Sequence, residues 1–543
     1  MTNETMGVEG APTVPSFFAR QATGLTREVS WVDALFYNLL WSSIPLSLAF
    51  LLAFGPSEFP HASPYWTVIV TLALAMPCAI LYAMFSAAVP RSGGDYTWIT
   101  RTLNPVVGFM SNVSFIFWVT FFIGVYAVYL GSYGLSPAFR VLASYFQSPG
   151  MLSASNWFSG ETGSIIVGLV VVALSAAVLV FGRGLRTFMK LQKWAFGAWF
   201  VGAVVIPFII VGFVSKGTFI AHFDTYVRGL GGQPDAYDKL LKASPPLGAS
   251  SHTFGGSLLM MVLPFYTVGF IFQSTYFGGE IKRARSSAMK SIVWAEAAAG
   301  AMLLIGIAIF GIRLSQFMGT TGYGNFAKVG VPAAPLYTEV ASIASGNIVL
   351  GIIISIGMIL VFVTWIPQTM LLVSRSLFAW SFDGLLPSKV SDVNPRTHSP
   401  VFAVAIISVL SAVSVVIVGL HPSLTFVVGL LGLTITYILV SIAGIAFPFR
   451  QKDVFEASPF NGRIGRIPIM SLVAALSLVG IGVITTTLLL AEYSGTSWEY
   501  NRSRVILCIA IVVLAAPLYY VMRAVRKSQG VNIDLAYKEI PPE

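Results

Sequence analysis

The sequence predicts an all-α integral membrane protein with twelve transmembrane helices, and three observations carry that prediction. Hydrophobic residues make up 56% of the 543-residue chain and charged residues 10%, whereas a water-soluble chain is about a quarter charged. So few charges cannot dress a solvated surface. The apolar residues also gather into long continuous runs, each near the roughly 20 residues that a helix needs to cross the hydrocarbon core. A helix satisfies its own backbone hydrogen bonds, as lipid demands; spanning strands would show as short alternating stretches. Finally, the basic residues fall between the runs in an uneven pattern.

The runs lie near 33–54, 65–89, 105–133, 164–181, 192–214, 255–278, 288–312, 346–372, 400–420, 423–447, 468–490 and 504–522. Residues 1–28 are polar, without the short apolar core and small-residue cleavage site of a signal peptide. They are read as a tail, as are residues 523–543. An even number of spans puts both tails on one side. If that side is the cytoplasm, the inner segments hold 23 of the 32 Lys and Arg residues. The positive-inside rule therefore predicts cytoplasmic termini and a multi-pass protein of the cell membrane.

The longest outer segments, about 134–163, 215–254 and 313–345, are rich in Gly, Ser and Pro and are expected to form short helices or lids. The net charge of +10 is split among short loops, which does not point to nucleic acid as a partner. Cys78 and Cys508 both lie in apolar runs, so no disulfide framework or cysteine metal site is expected. The five histidines are scattered singly. No metal and no cofactor is predicted.

Each run has local features that bear on function. Pro90 to Phe109, PRSGGDYTWITRTLNPVVGF, joins spans two and three at the inner edge. Gly93 and Gly94 let the backbone bend sharply, and Arg91 and Arg101 hold that bend on the positive side. With Glu280, at the inner end of span six, where it reads as an interfacial ion pair with the adjacent Lys282 and Arg283, they form a candidate cytoplasmic gate.

Spans one and six read as broken helices. In Asn38-Leu-Leu-Trp-Ser-Ser-Ile-Pro45, Pro45 lacks an N–H and leaves the Trp41 carbonyl free, while Ser42 and Ser43 offer hydroxyls that compete for backbone partners. In Met260-Met-Val-Leu-Pro-Phe-Tyr-Thr-Val-Gly-Phe270, Pro264 frees the Met260 carbonyl and Gly269 weakens the next turn. Pro77, Pro207, Pro367 and Pro517 also lie in spans, where a plain kink is the simpler reading. The breaks in spans one and six stand out because they lie five spans apart, where a five-plus-five inverted repeat would put them. A half-helix N-terminus attracts a carboxylate, and exposed carbonyls suit an ammonium group or a small cation. An α-amino acid carries both charges. The candidate substrate site is Asn38, Ser42, Ser43 and Ile44 with Tyr266, Thr267, Gly269 and Phe270, in which Tyr266 and Phe270 wall the side chain.

An ionisable residue inside a span is a functional candidate. Glu296 follows Lys290 by six residues, which places it shallowly in span seven. It could carry a coupling proton, although an ion pair with a nearby cytoplasmic base is the simpler reading. Asp33 opens span one, where a carboxylate suits a helix N-terminus, and Lys193 can snorkel at the inner edge of span five. Thr364 in span eight is a candidate hydroxyl for a sodium site beside the span-one break.

Four segments together resemble the amino acid–polyamine–organocation superfamily of permeases. They are Gly24-Leu-Thr-Arg27; Pro90-Arg-Ser-Gly-Gly-Asp-Tyr96 running to Pro105-Val-Val-Gly-Phe109; Gly269-Phe270 followed by Gly279-Glu-Ile-Lys-Arg-Ala-Arg285; and Ser374 to Pro387 leading to Ser399-Pro400. The resemblance implies two inverted five-helix repeats, about 33–214 and 255–447, followed by two C-terminal helices at about 468–522. It also implies a central site at unwound parts of spans one and six, alternating access, and coupling to H+ or Na+ or exchange. Many such permeases have a Gly-rich turn in span one, where this chain has Trp41-Ser-Ser-Ile-Pro45; serine hydroxyls could take the carboxylate instead. Some carry a lysine in mid-span five, but Phe196 to Ile210 contains no charge.

The predicted function is thus secondary active transport of amino acids, with the lipid bilayer and a small-molecule substrate as partners. A polyamine or other organic-cation carrier is the alternative within transport, and it would want an acidic residue in the central cavity. A membrane sensor with the same fold would want a larger output domain than these tails. An enzyme would need converging acid, base or metal-ligating residues, which the spans do not supply.

Overall fold

A computed structural model gives a bundle that is almost wholly helical. The structure describes residues 27–182, 185–243, 252–321, 325–394, 400–421, 426–491 and 498–537. Most of the N-terminal tail, residues 24–26 of the first motif, Ser399, and residues 538–543 of the C-terminal tail lie outside them.

Among the described residues, eleven helices are long and apolar enough to cross a membrane, which fits a multi-pass membrane protein. The first span is split as its sequence predicts. Ser30 caps α1 (Trp31–Trp41) in a reciprocal capping box with Asp33. Helix α1 stops at Ser42, Ser43 takes a left-handed conformation at φ 46°, and α2 (Ile44–Glu58) starts with Pro45 in its first turn. Proline suits that position because its missing N–H would have no helical partner there.

Helix α3 (Pro64–Ala88) leads through the Gly-Gly bend to the short α4 (Asp95–Thr102). Next comes α5 (Pro105–Tyr129), which passes through a π-helical turn at Leu130–Leu135 into α6 (Ser136–Phe146). Helix α7 (Pro149–Ser159) precedes α8 (Glu161–Phe181). Helix α9 (Leu185–Phe200) continues through a second π turn, Val201–Val205, into α10 (Ile206–Phe213). A Cβ on Gly357 would come within 2.6 Å of the Ala203 amide in that second turn. The two backbones therefore meet across a glycine contact of the kind membrane helices use. The expected short outer helices are α11 (Lys216–Gly229) and α12 (Ala236–Ala243).

The stretch expected to form span six is not one long helix. It consists of α13 (Phe254–Leu259), α14 (Val262–Val268) and two 3-10 turns, Gln273–Tyr276 and Gly278–Glu280. Pro264 cannot donate back across the join between α13 and α14, and α14 ends at Gly269. Helix α15 (Ala284–Met318) follows, then α16 (Tyr337–Ser345) and α17 (Ile348–Phe382). Helix α17 runs beyond the expected end at 372, so the first half of the Ser374–Pro387 motif is helical and Arg375 is buried.

Helices α18 (Val401–Leu420) and α19 (Phe426–Arg450) precede α20 (Lys452–Glu456) and a two-stranded hairpin, β1 (Arg463–Ile464) and β2 (Ile467–Pro468). Helices α21 (Ile469–Leu490), α22 (Trp498–Ser528) and α23 (Ile533–Ala536) complete the chain. Helix α3 packs on α15 and α21, and α17 packs on α5, α8 and α9. Ile166, Val170 and Leu174 of α8 remain exposed, as a lipid-facing surface should, since lipid tails are as apolar as a core.

Candidate substrate site at the paired breaks

The two breaks lie side by side. Ser47 Oγ on α2 donates to the Leu263 carbonyl of α14 at 2.8 Å, and the Ser274 amide beyond the second break donates to Asn38 Oδ1 on α1 at 3.0 Å. Gly269 caps α14 through its amide to the Phe265 carbonyl, 2.8 Å. The Gly269 carbonyl is then taken by the Tyr437 hydroxyl of α19 at 2.7 Å. A Cβ on Gly269 would lie 2.9 Å from the Phe265 carbonyl oxygen and 3.0 Å from its ring, so this turn has no room for a side chain.

Two expectations about the breaks need correction. The Met260 carbonyl is not free: it accepts from the Leu263 amide at 3.1 Å, because the chain tightens there rather than opening. The open turn of span six comes later, after Gly269. The Ser42 hydroxyl is also committed, donating to the Leu39 carbonyl at 2.5 Å.

Asn38, Ser42, Ser43, Ile44, Tyr266, Thr267, Gly269 and Phe270 are all buried at the breaks. Rings from four spans close around them. Trp41 stacks near Phe270 (centroids 6.0 Å apart) and meets Trp365 edge-on at 4.9 Å. Trp365 stacks on Tyr126 at 3.8 Å, and Tyr126 on Tyr266 at 6.0 Å. Phe122 adds an edge to Phe270 at 5.6 Å. Sequence reasoning found Tyr266 and Phe270 but missed Tyr126 and Trp365 as walls, since both lie within continuous helices, α5 and α17, where no break marks them.

Several polar groups in this shell have no hydrogen-bond partner among the described residues: Asn38 Nδ2, Thr267 Oγ1, Trp365 Nε1 and both side-chain atoms of Gln368. The Tyr37 hydroxyl donates to the Gln368 backbone carbonyl at 3.0 Å, which puts Gln368 next to α1. An orphaned buried polar group costs roughly 1–3 kcal/mol, and native interiors leave few of them. Those at the two broken helices make the breaks a candidate place for a polar ligand.

The ion-coupling candidates separate. Glu296 on α15 is wholly buried, and neither carboxylate oxygen has a partner among the described residues, so the expected ion pair with a neighbouring base is not found there. Thr364 donates its hydroxyl to the Leu360 carbonyl at 2.7 Å. It lines an apolar cleft of about 570 Å³ with Gln192, Leu191 and Val363, and its neighbour Trp365 belongs to the ring shell.

The candidate gate residues lie together at the basic end of the bundle. Gly93 and Gly94 both have positive φ, 95° and 52°. A Cβ on Gly93 would lie 2.6 Å from Ala379 Cβ on α17, and one on Gly94 would lie 3.2 Å from the Tyr276 ring. Arg101 makes a buried bidentate pair with Asp383 at 2.6 and 2.7 Å. Glu280 pairs with Arg375 at 2.8 Å, in the interior, rather than with Lys282 or Arg283. Val29 and Lys282 exchange backbone hydrogen bonds around Glu280: the Val29 amide reaches the Glu280 carbonyl at 3.0 Å and the Lys282 amide reaches Val29 at 2.8 Å. Arg91 donates to the Pro90 carbonyl at 3.3 Å. Asp33 and Lys193 form a half-exposed pair at 2.6 Å. At the opposite end Arg140 pairs with Glu339 at 2.6 Å, with the Tyr226 hydroxyl on the same carboxylate at 2.7 Å.

The amino acid permease family matches this chain over residues 35–515. The branched-chain amino acid permease BcaP of Bacillus subtilis (strain 168) is 25% identical over 430 residues, covering 78% of this chain and 82% of that protein. The family match takes in both breaks, the ring shell and the candidate gate residues, and it bears out the superfamily resemblance, although the Gly24-Leu-Thr-Arg27 motif lies before the matched residues. The chain therefore belongs to the amino acid permease family and is an amino acid transporter, not an enzyme.

Proposed function

We propose that this protein is a secondary active transporter that carries amino acids with branched apolar side chains across the cell membrane by alternating access. The observation that carries the reading is the ring shell around the paired breaks, holding unpartnered polar atoms from spans one, six and eight. The half-helix ends and those polar atoms take the backbone charges of an α-amino acid, and the rings take its side chain. BcaP is by name a branched-chain amino acid permease, which agrees with an apolar wall. A polyamine would want a carboxylate among the rings, and the described side chains that line the breaks carry none.

In this reading the breaks belong to two inverted five-helix repeats, the basic end faces the cytoplasm, and the Arg101–Asp383 and Glu280–Arg375 pairs hold the inner gate shut. Glu296 is the coupling candidate. Its carboxyl is wholly buried with no partner among the described residues, a place where a carried proton could reside. The test is uptake of labelled leucine, isoleucine, valine, glutamate, lysine and putrescine into proteoliposomes with imposed proton or sodium gradients. Leucine, isoleucine or valine should accumulate, and an inward proton gradient should raise the rate. Accumulation of putrescine alone would reject the substrate assignment.

A further inference from the structure

Residues 523–543 read from sequence as a tail with no task, yet the described part folds back onto the candidate gate. Helix α22 continues to Ser528. Gly530 then takes a left-handed backbone at φ 79°. The Gly530 and Val531 amides donate to the Lys527 and Arg526 carbonyls, both at 3.0 Å, which satisfies the helix end and turns the chain. Asn532 Oδ1 accepts from the Asp534 amide at 3.1 Å and opens the single turn of α23. From this turn Ile533 and Tyr537 point into the protein and are buried, while Asn532 and Asp534 stay exposed.

The segment lands on the Arg101–Asp383 pair from both sides. On the α4 side, the Tyr537 and Tyr96 hydroxyls share a hydrogen bond at 3.1 Å. The Arg101 guanidinium lies over the Tyr537 ring, 5.1 Å from its centroid, and Arg101 Nη2 donates to the Ala536 carbonyl at 3.4 Å. On the α17 side, Arg526 Nε donates to the carbonyl of Gly384, the residue after Asp383, at 2.8 Å. Val531 packs there too: a Cβ on Gly384 would lie 3.3 Å from its Cγ1. One strip of chain thus bridges the two elements that the ion pair joins, and the Tyr537 ring covers the guanidinium. The attraction between two charges strengthens as water is excluded, whereas a solvated pair contributes little.

We propose that residues 531–537 are a releasable strap that locks the inner gate. Docked, the strap keeps water off the Arg101–Asp383 pair and ties α4 to the end of α17. Undocked, it admits water to the pair and lets the two elements part, so the tail restrains opening. Its hold is local and reversible. Ile533 and Tyr537 are its buried anchors among the described side chains, and a segment with so little buried apolar surface opens at the low end of a protein's stability range. The ion pair on its outer side, Arg523 with Asp534 at 2.5 Å, is exposed and adds little. Tyr537 is a positioning residue, since it acts through Arg101. The inference rests on the transport reading only in calling this end a gate.

The experiment is hydrogen–deuterium exchange of the full chain in nanodiscs, without substrate, for wild type, Tyr537→Ala and Tyr537→Phe. Residues 96–103 and 378–385 report the strapped elements, and residues 337–345, at the opposite end beside the Arg140–Glu339 pair, are the reference. Tyr537→Ala removes a buried ring and its contact with a desolvated guanidinium, so both reporter segments should lose about tenfold protection while the reference stays as in wild type. Tyr537→Phe keeps the ring over Arg101 and should lose less protection than Tyr537→Ala. Unchanged reporter segments in Tyr537→Ala would overturn the proposal. So would an equal loss in the reference, which would mark Tyr537 as a general packing residue, or a Tyr537→Phe as open as Tyr537→Ala. Because no substrate is added, a negative result here leaves the uptake test untouched, and the reverse also holds.

Discussion

The breaks and the basic end treat buried polarity in opposite ways. At the basic end each buried carboxylate is matched: Asp383 by Arg101, Glu280 by Arg375, and Asp95 by two phenols and an amide. At the breaks, Asn38 Nδ2, Thr267 Oγ1, Trp365 Nε1 and the Gln368 amide have no partner among the described residues. The basic end has committed its buried carboxylates to partners of its own, as a closed latch must, although Arg101 Nε and Arg375 Nη1 keep no partner among the described residues. The breaks hold polar groups in reserve, as a binding site does. In the proposed reading, these two parts of one bundle serve shape change and ligand binding.

Breaking one partner of a latch pair should give the largest effect. Arg375→Ala leaves Glu280 charged and buried, and loss of one partner of a buried ion pair costs about 3–5 kcal/mol. The expected outcome is a lower melting temperature and a gate that hydrogen exchange reports as open, with Glu280→Gln restoring part of the loss in the double variant. A silent Arg375→Ala would remove the latch side of the contrast.

Next comes Glu296→Gln. Since neither oxygen of Glu296 has a partner among the described residues, the substitution should leave stability near wild type, and it should flatten the pH dependence of uptake between pH 5 and 8. An unchanged pH profile would return Glu296 to a packing role.

Smaller effects are expected where a single reserved hydrogen bond is removed. Thr267→Val keeps the shape and deletes the hydroxyl, which should raise the leucine KM by roughly five- to tenfold, the worth of about 1–1.5 kcal/mol. Ser42→Ala is the control, because that hydroxyl already donates to Leu39. It should change KM by less than about twofold, since only a local side chain–backbone bond is lost. Equal effects in the two variants would erase the distinction between reserved and spent polarity.

Much of this plan was legible in the sequence, for local reasons. A broken helix writes its own signal: Ser42-Ser43 before Pro45, and Pro264 with Gly269, act within one or two turns. The Gly93-Gly94 bend was legible for the same reason. What could not be read is who meets whom across spans. Trp380 reaches Asn112 over 268 positions and Arg101 reaches Asp383 over 282, and no spacing rule links such residues. Glu280 illustrates this: its sequence neighbours Lys282 and Arg283 looked like partners, but the pair forms with Arg375 because α17 continues past its expected end. Glu296 looked shallow from its distance to Lys290, yet it is wholly buried on a helix that packs against α1 and α3. Asp95 was hidden inside a motif whose glycines and arginines drew the eye.

The claim at the centre of this account is that substrate sits at the paired breaks, and Gly269→Leu tests it most directly. Labelled leucine binding to purified protein would be measured by scintillation proximity for wild type and Gly269→Leu, with thermal unfolding followed on the same samples. A leucine side chain has no room beside the Phe265 carbonyl and ring, so it must displace the turn that the site is built on. The account predicts saturable binding to wild type and loss of at least tenfold in affinity in a variant that still inserts and unfolds cooperatively, a change of about 1.4 kcal/mol or more. Wild-type affinity in a folded Gly269→Leu would contradict it and place the substrate elsewhere in the bundle.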